Sequence, residues 1–387
     1  MGKNRYPVVL LHGMFGFGQQ QVTEQVVPYF GLWKWHVRKE FENMGIHTVA
    51  PSMGPFTSAW NRACEVYAQL VGGTVDYGKA HSEKYGYERY GRTYEALLPE
   101  WGTLDDEGKR VKINIIGHSF GGVSGRMLTE LMVHGSAEER AVTDPEDLSP
   151  LFAGGHEDWV HSITTLSSPH NGMTSVEGNV GKWMGQICRG ICDVMNIVDT
   201  TPLKKIYDLE LDMYGITPTG KHVIPVLSGI KDGKIKKYLL ENEDNIIYDL
   251  TLKGAAEVNE KLPMLDNVYY FSYRVGRTVQ LFGNQVPSPL AFPIINVLGF
   301  FMGRQHQDVP DPSWLKNDMV INTVSAEAPA GCPSRYVSND ETDFAPGIWN
   351  VFPPKWGDHM STLGWIVPKE KFMQFYKGLY EIASSCE

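Results

Sequence analysis

The sequence predicts an α/β fold in which a mostly parallel central sheet is flanked by helices. Three observations support this prediction. Short aliphatic runs alternate with amphipathic stretches up to about residue 170, the strand-like run Val111–Ile116 leads into Gly117-His118-Ser119-Phe120-Gly121, and no internal repeat is present. The chain has 387 residues, of which 42% are hydrophobic, so it contains enough apolar material for a large core.

The individual elements follow from the spacing of apolar residues and from the residues that end each run. Strands are predicted where aliphatic residues run together, and helices where apolar residues recur every three or four positions. In chain order we predict a strand at Tyr6–Leu11, a helix at Trp35–Met44, a strand at His47–Pro51, a helix at Ser58–Val71, a strand at Val111–Gly117, a helix at Gly122–His134, strands at Ser162–Ser168 and Val268–Val275, and a helix at Lys369–Ala383.

The alternation of strands and helices fades between about residues 172 and 262. Apolar residues recur at helical spacing from Val180 to Met195. Glycines at 178, 181, 185 and 190 weaken such a helix by about 1 kcal/mol each. A helix of this kind can change position, although a surface helix docked on the core is the simpler alternative. We therefore predict one domain over residues 1–387, with a helical lid and cap insertion at about 172–262.

The charge and composition narrow the range of partners. The formal net charge is −10, and no run of lysine and arginine appears, which argues against nucleic acid. The longest apolar segment, Pro289–Met302, is too short to span a membrane, and an amphipathic or lid-like element is expected there.

The five cysteines match no metal or redox spacing and are expected to be free thiols. No signal peptide is visible, which fits a cytoplasmic protein or a mature form.

Ser119 lies between two glycines, after the apolar run Val111–Ile116 and before a predicted helix. This Gly-x-Ser-x-Gly arrangement is typical of a nucleophile elbow, a tight strand-to-helix turn that exposes a serine at the carboxyl edge of a parallel sheet. The strand before it and the helix after it are the context that this chemistry requires. A serine that serves only the turn is the simpler alternative.

A serine hydroxyl needs a base, and the base needs a carboxylate that fixes its tautomer. The expected chain order for an elbow of this kind is serine, acid, histidine. His359 is the candidate base because it lies late in the chain, in a loop before the last predicted helix. Asp318, at a strand-to-loop junction, is the favoured acid. Four other aspartates remain open: Asp311, Asp340, Asp343 and Asp358.

An oxyanion hole needs two backbone N–H donors beside the nucleophile. The residue after the serine, Phe120, is expected to supply one of them. The loop after the first strand is expected to supply the other, with Met14 as the predicted donor and Phe15 as the alternative. Together these residues predict a site for acyl transfer.

Several longer motifs resemble one family. The segments YPVVLLHGMFGFG, GGTVDYG, RTYEALLPEW, GHSFGG, TLSSPHNG, NDMVINTVS and GDHMSTLG are similar to those of the secreted lipases of thermophilic Bacillus and Geobacillus and of staphylococci. The resemblance implies an α/β-hydrolase fold and a triad of Ser119, Asp318 and His359. It also implies that Met14 and Phe120 form the oxyanion hole, and that Val176–Asn196 is a mobile lid over an acyl pocket.

The resemblance breaks down at the metal sites. The family binds a structural zinc ion through two aspartates and two histidines, and the matching positions here are Asn61, His81, Tyr87 and Asp244. Because Asn and Tyr are poor zinc ligands, we expect zinc to be absent or weak, with His81 and Asp244 meeting as a hydrogen-bonded remnant. The family's calcium site uses carboxylates just after the catalytic histidine, and Met360–Pro368 contains none. We therefore expect no calcium there, and no cofactor for catalysis.

The leading hypothesis is a secreted triacylglycerol lipase that forms an acyl-enzyme on Ser119 at an oil–water or polymer surface. An open-site carboxylesterase or polyester hydrolase is the alternative, because clostridial members of the family are associated with polyester hydrolysis. A non-catalytic binding module of the same fold is a third hypothesis. An exposed apolar lid would also favour self-association.

Overall fold

A computed structural model describes residues 4–32, 35–178, 241–289 and 295–387, together with positions 181, 186, 208, 210 and 213. The strands within these residues are β1 Val8–Leu11, β2 Thr48–Val49, β3 Gly73–Asp76, β4 Tyr90–Tyr94, β5 Ile113–His118, β6 Val160–Leu166, β7 Tyr269–Tyr273, β8 Val275–Gly276, β9 Thr278–Leu281, β10 Asn284–Pro287, β11 Ser334–Tyr336, β12 Trp349–Val351 and β13 Lys355–Trp356. The α-helices within them are α1 Val22–Val26, α2 Val37–Asn43, α3 Ala59–Val71, α4 Lys79–Tyr85, α5 Phe120–His134, α6 Ala137–Val142, α7 Pro150–Ala153, α8 Ile246–Asp249, α9 Leu252–Lys261, α10 Asn296–Met302 and α11 Lys369–Ser385.

Seven strands form one sheet in the order β11-β12-β7-β6-β5-β1-β2. Each neighbouring pair runs parallel, as predicted. The central strands β5 and β6 are buried along their whole length, which is the pattern of a parallel sheet covered on both faces. Because the strands are parallel, their carboxyl ends meet at one edge, and the residue directly after β5 is Ser119.

The core forms a layer on each face of this sheet, and β1 contributes to both because its side chains alternate. Val9 and Leu11 pack in the layer that contains α3 and α5. Val8 and Leu10 pack in the opposite layer, with α2 and α11. Packing on both faces fixes the sheet edge at which Ser119 lies.

The predicted elements are present with shifted ends. Helix α5 begins at Phe120 rather than Gly122, because the turn at Ser119 is completed in a single residue. The predicted strand Val268–Val275 is divided into β7 and β8. The predicted lid helix Val180–Met195 lies outside the described residues apart from Gly181 and Gln186, and the insertion at 172–262 stays a prediction. Among the described residues, no helix combines the length and apolar character that a membrane crossing requires.

Candidate active site

Ser119 forms the tight turn between β5 and α5. Its φ and ψ are 55° and −131°, a region that non-glycine residues rarely occupy and that is most often found at functional sites. The turn is held in place because Ser119 N donates to the Leu166 carbonyl of β6 at 2.8 Å. Gly121 is required here, since a Cβ at this position would lie 2.1 Å from the Leu11 carbonyl oxygen. The glycines of the motif thus allow α5 to begin directly against β1.

His359 and Asp318 form a buried pair. His359 Nδ1 lies 2.9 Å from Asp318 Oδ2, and the backbone N–H of His359 donates to the Asp318 carbonyl at 2.8 Å. The other carboxylate oxygen, Oδ1, accepts the N–H groups of Val320 at 3.0 Å and Ile321 at 2.6 Å. The carboxyl group therefore faces three N–H groups, one from the imidazole and two from the backbone. With a carboxylate at Nδ1, the imidazole keeps Nε2 free to accept a proton.

The other candidate aspartates have different roles. Asp311 caps the 3₁₀ turn Pro312–Leu315, and Asp340 and Asp343 are exposed at the surface. Asp358 caps the 3₁₀ turn that begins at His359, through a reciprocal pair of bonds with Ser361. The geometry therefore brings Asp318, and none of these four, to the His359 imidazole.

His118 connects the nucleophile turn to the base. Its ring lies 4.6 Å from that of His359 between centroids, and its Nε2 lies 3.2 Å from the His359 carbonyl oxygen. Because a carbonyl can only accept, Nε2 carries the proton and Nδ1 accepts from the Tyr29 hydroxyl at 2.8 Å. Burial, together with the nearby His359, holds the pKa of His118 well below its ordinary value. The neutral His118 therefore positions the His359 loop beside Ser119.

The Tyr29 hydroxyl extends this chain to the loop after β1. It accepts the N–H of Gly13 at 3.0 Å, and Gly13 itself lies against the nucleophile. A Cβ at position 13 would be 2.7 Å from the Ser119 Cβ. Neither Tyr29 nor His118 was among the residues predicted for the site. The only signal for His118 was its place beside Ser119, and Tyr29 is 89 positions away from it in the chain.

Arg62 holds together the two segments that contain the predicted oxyanion donors. This guanidinium is fully buried, donates to the carbonyls of His12 and Gly13, and lies 5.4 Å from the centroid of the Phe120 ring. The Gly13 carbonyl also accepts the N–H of Gly16 at 3.1 Å. In a planar trans peptide the next N–H points the opposite way from the carbonyl. The Met14 N–H is therefore directed away from these donors.

Phe120, the other predicted donor, is the first residue of α5. Its backbone N–H has no acceptor within the helix, because the first four N–H groups of any helix lack one. It lies directly after Ser119, at the positive end of the helix dipole. Negative charge that develops at this point is stabilised by both features.

The site is nearly closed to solvent in this conformation. Ser119 is 7% exposed and His359 is 5% exposed. The arrangement can support attack by a serine on an acyl carbon.

The four positions that match the family's zinc ligands lie together, joined by hydrogen bonds. Asp244 Oδ2 accepts from the Asn61 amide at 2.9 Å and from the Tyr87 hydroxyl at 2.6 Å. Asp244 Oδ1 lies 3.1 Å from His81 Nε2, which is the hydrogen-bonded remnant predicted from the sequence. The Tyr87 hydroxyl also lies 2.9 Å from the Asn61 side-chain oxygen. We refer to these four residues as the Asp244 cluster.

The Asp244 cluster does not suit a zinc ion. Both oxygens of its one carboxylate already accept hydrogen bonds, and the Asn61 N–H that faces Asp244 cannot coordinate a metal. The His81 ring is stacked on Trp60, with centroids 4.5 Å apart. Within the described residues, no group of three or more His, Cys, Asp or Glu side chains could hold a metal ion. The absence of zinc and calcium stays a prediction.

Similarity to known proteins extends over most of the chain. It is 34% identical to "Lipase 2" of Staphylococcus aureus over 369 residues, which cover 93% of this chain and 50% of that relative. The chain thus spans about half the length of the curated relatives that it matches.

Two solved structures are similar over almost their whole length. The lipase of Staphylococcus hyicus has a TM-score of 0.85 at 28% identity, covering 99% of this chain and 96% of that one. Lipase 1 from Pelosinus fermentans has a TM-score of 0.81 at 35% identity, covering 100% of both. The family model described as "Lipase-like, C-terminal domain" matches residues 4–382. The chain therefore belongs to the lipase-like C-terminal domain family and has the α/β-hydrolase fold.

Proposed function

We propose that this chain is a serine carboxylic-ester hydrolase of the triacylglycerol lipase type. The observation that supports this most is the buried Asp318–His359 pair, held beside the strained Ser119 turn by the ring of His118. Similarity to proteins named as lipases supports the substrate class. The proposal includes secretion, as the resemblance to staphylococcal lipases implies.

In the proposed mechanism Ser119 Oγ attacks the ester carbonyl carbon while His359 Nε2 removes its proton. Asp318 stabilises the imidazolium that forms. The N–H groups of Met14 and Phe120 bind the oxyanion, and each contributes about 3 kcal/mol to lowering the barrier. The tetrahedral intermediate then collapses, the C–O bond to the alcohol breaks, and His359 gives its proton to the leaving alkoxide.

Deacylation repeats the same steps with water. His359 takes a proton from a water molecule, whose oxygen attacks the acyl carbon of the Ser119 ester. Collapse of the second tetrahedral intermediate releases the fatty acid and returns the proton to Ser119 Oγ. No step requires a metal ion, because the two N–H groups stabilise the charge on the oxyanion.

The test is tributyrin hydrolysis measured across the solubility limit of the substrate, with Ser119→Ala as the control for catalysis. A rate that rises sharply when droplets form, together with an inactive variant, supports a lipase with a gated site. Smooth saturation below that limit indicates instead the alternative, an open-site carboxylesterase or polyester hydrolase. An unchanged rate in Ser119→Ala refutes the mechanism and favours a non-catalytic role for the fold.

A further inference from the structure

One stretch of the chain lacks charge altogether. Residues 278–303 contain no Asp, Glu, Lys, Arg or His, although 21% of all residues are charged. The described part of this stretch includes the hairpin of β9 and β10 and the helix α10. Surface elements of a soluble protein normally present mixed charges to water. An uncharged surface element therefore needs an explanation other than solubility.

The tip of the hairpin is a two-residue turn made by Phe282 and Gly283. Leu281 pairs with Asn284 across it, and both turn residues have positive φ, 48° and 77°. These torsions define the type I′ turn, whose first position favours Asn, Asp or Gly. Phe282 is an unfavourable residue for this turn, and its side chain is 93% exposed. Neither the turn nor the core accounts for a phenyl group at this position.

Five further apolar residues are exposed near this tip. On β9, Val279 and Leu281 are two positions apart and share one face. On α10, the exposed residues recur at i, i+3 and i+4, which places them on one side of the helix. The two elements are joined, because Gln285 N of β10 donates to the Gly303 carbonyl at 2.7 Å. We call this the uncharged patch: Val279, Leu281, Phe282, Val297, Phe300 and Phe301.

The uncharged patch is attached to the loop that contains the catalytic acid. Asn317, directly before Asp318, donates from its side chain to the Gly299 carbonyl of α10 at 3.2 Å. Its own carbonyl accepts the N–H of Arg277, the residue before β9, at 3.1 Å. A surface bound by the patch would therefore lie beside the catalytic residues.

We propose that the uncharged patch anchors the protein to a condensed, electrically neutral ester surface such as a triacylglycerol droplet. This inference rests on the proposed function, because it assigns the physical state of the substrate to that same site. Transfer of exposed apolar side chains from water to such a surface is favourable. A neutral surface fits best, since the protein carries a net charge of −10. The guanidinium of Arg304, which lies 3.9 Å from the centroid of the Phe300 ring, adds a single positive charge at the patch, which is small against that net charge.

The test measures binding separately from catalysis, by flotation of Ser119→Ala protein with triolein droplets coated by phosphatidylcholine. The main substitution is Phe282→Asn, because Asn is the residue that the type I′ turn prefers, so the hairpin keeps its fold. Phe300→Ser added to Phe282→Asn removes a second phenyl. The matched control is Leu104→Asn, an aliphatic residue that is 62% exposed in a hairpin just before β5, at the amino ends of the strands.

We expect Phe282→Asn to weaken droplet binding about 10-fold, by loss of one inserted phenyl, and the double variant to weaken it further. We expect Leu104→Asn to bind like the parent. With Ser119 intact, Phe282→Asn should hydrolyse soluble p-nitrophenyl butyrate at the parent rate while losing activity on the emulsion.

Parent-level binding by the double variant would overturn the proposal. So would equal or tighter binding of the parent to droplets coated with anionic phosphatidylglycerol. A change in sedimentation by Phe282→Asn, without a change in droplet binding, would assign the patch to a second copy of this chain and also overturn it. These outcomes differ from failure of the proposed function, which appears as turnover of the soluble ester by Ser119→Ala.

Discussion

Asp318→Asn should inactivate the protein by fixing the wrong tautomer of His359, with little change in shape. The two oxygens of Asp318 are distinguished by their surroundings: Oδ1 accepts two backbone N–H groups, and Oδ2 faces His359 Nδ1. An asparagine must keep its oxygen toward the two N–H groups, because its NH₂ would meet them as a second donor. The NH₂ then points at Nδ1 and can only donate to it.

In that arrangement the proton of the neutral imidazole lies on Nε2, where it cannot accept the proton of Ser119. We expect kcat to fall by roughly 10⁴-fold, which corresponds to about 5.5 kcal/mol in the activation free energy. KM for a soluble ester should stay close to that of the parent. The assay is turnover of p-nitrophenyl butyrate, with thermal melting to show that the variant is folded.

The matched control is Asp343→Asn, at an exposed acid that residue pattern alone left open beside Asp318. It should retain the parent rate, since Asp343 is exposed at the surface and His359 Nδ1 faces Asp318 Oδ2. A folded Asp318→Asn variant that keeps more than about a tenth of the parent kcat would refute the tautomer argument. Loss of activity in Asp343→Asn would show that the assignment of the catalytic acid to Asp318 is wrong.

Three further outcomes follow from the geometry. Tyr29→Phe leaves the Gly13 N–H and His118 Nδ1 without their buried partner, so we expect the free energy of unfolding to fall by roughly 1–3 kcal/mol. We also expect kcat to fall by a larger factor than KM changes. A variant with the parent's melting temperature and turnover rate contradicts this prediction. Asn61→Asp combined with Tyr87→His restores carboxylate and imidazole ligands, so melting of that variant should rise with added Zn²⁺ and fall with a chelator. The parent should respond to neither, and an equal response in the parent would show that the Asp244 cluster already binds zinc. Burial raises the pKa of Asp249 from 3.8 to about 7; its contribution to stability is therefore complete below about pH 4 and is lost as the pH rises through about 7. Asp249→Asn should reduce the decline in Tm that accompanies a rise in pH from about 4 to about 7. A decline equal to that of the parent would exclude Asp249 as its source.

The sequence identified the elbow because local features define it. An apolar strand, two glycines and a helix lie within a few residues of Ser119, and the parallel sheet follows from the same alternation. Helix α5 begins at Phe120, two residues before the predicted start at Gly122, because the sharp turn at Ser119 is completed in one residue. Glycine at the start of this helix reflects close packing, as the contact of Gly121 with the Leu11 carbonyl illustrates.

The choice among five aspartates was only partly made by the sequence. Position favoured Asp318 and the family resemblance implied it, but residue pattern alone left Asp343 open. The contact between Asp318 and His359, which are 41 positions apart, is visible only in the structure. The Tyr29–His118 contact joins residues 89 positions apart, so no local pattern could indicate it. The Asp244 cluster was partly foreseen, since the family resemblance aligned its positions, but the roles of Asn61 and Tyr87 as hydrogen-bond donors to Asp244 depend on side-chain geometry.

The strained torsion at Ser119 has a consequence for how this protein can diversify. The contacts described for the turn come from Leu11, Leu166 and Gly121, all in the sheet or at the first turn of α5. None of them lies between residues 172 and 262. The loop of the acid, in contrast, is joined to the start of that range, because Thr174 N donates to Asn322 Oδ1 at 2.9 Å and Ser175 Oγ donates to the Val320 carbonyl at 3.4 Å. A sequence change at Thr174 or Ser175 would therefore disturb the position of Asp318 while the nucleophile turn keeps its own contacts.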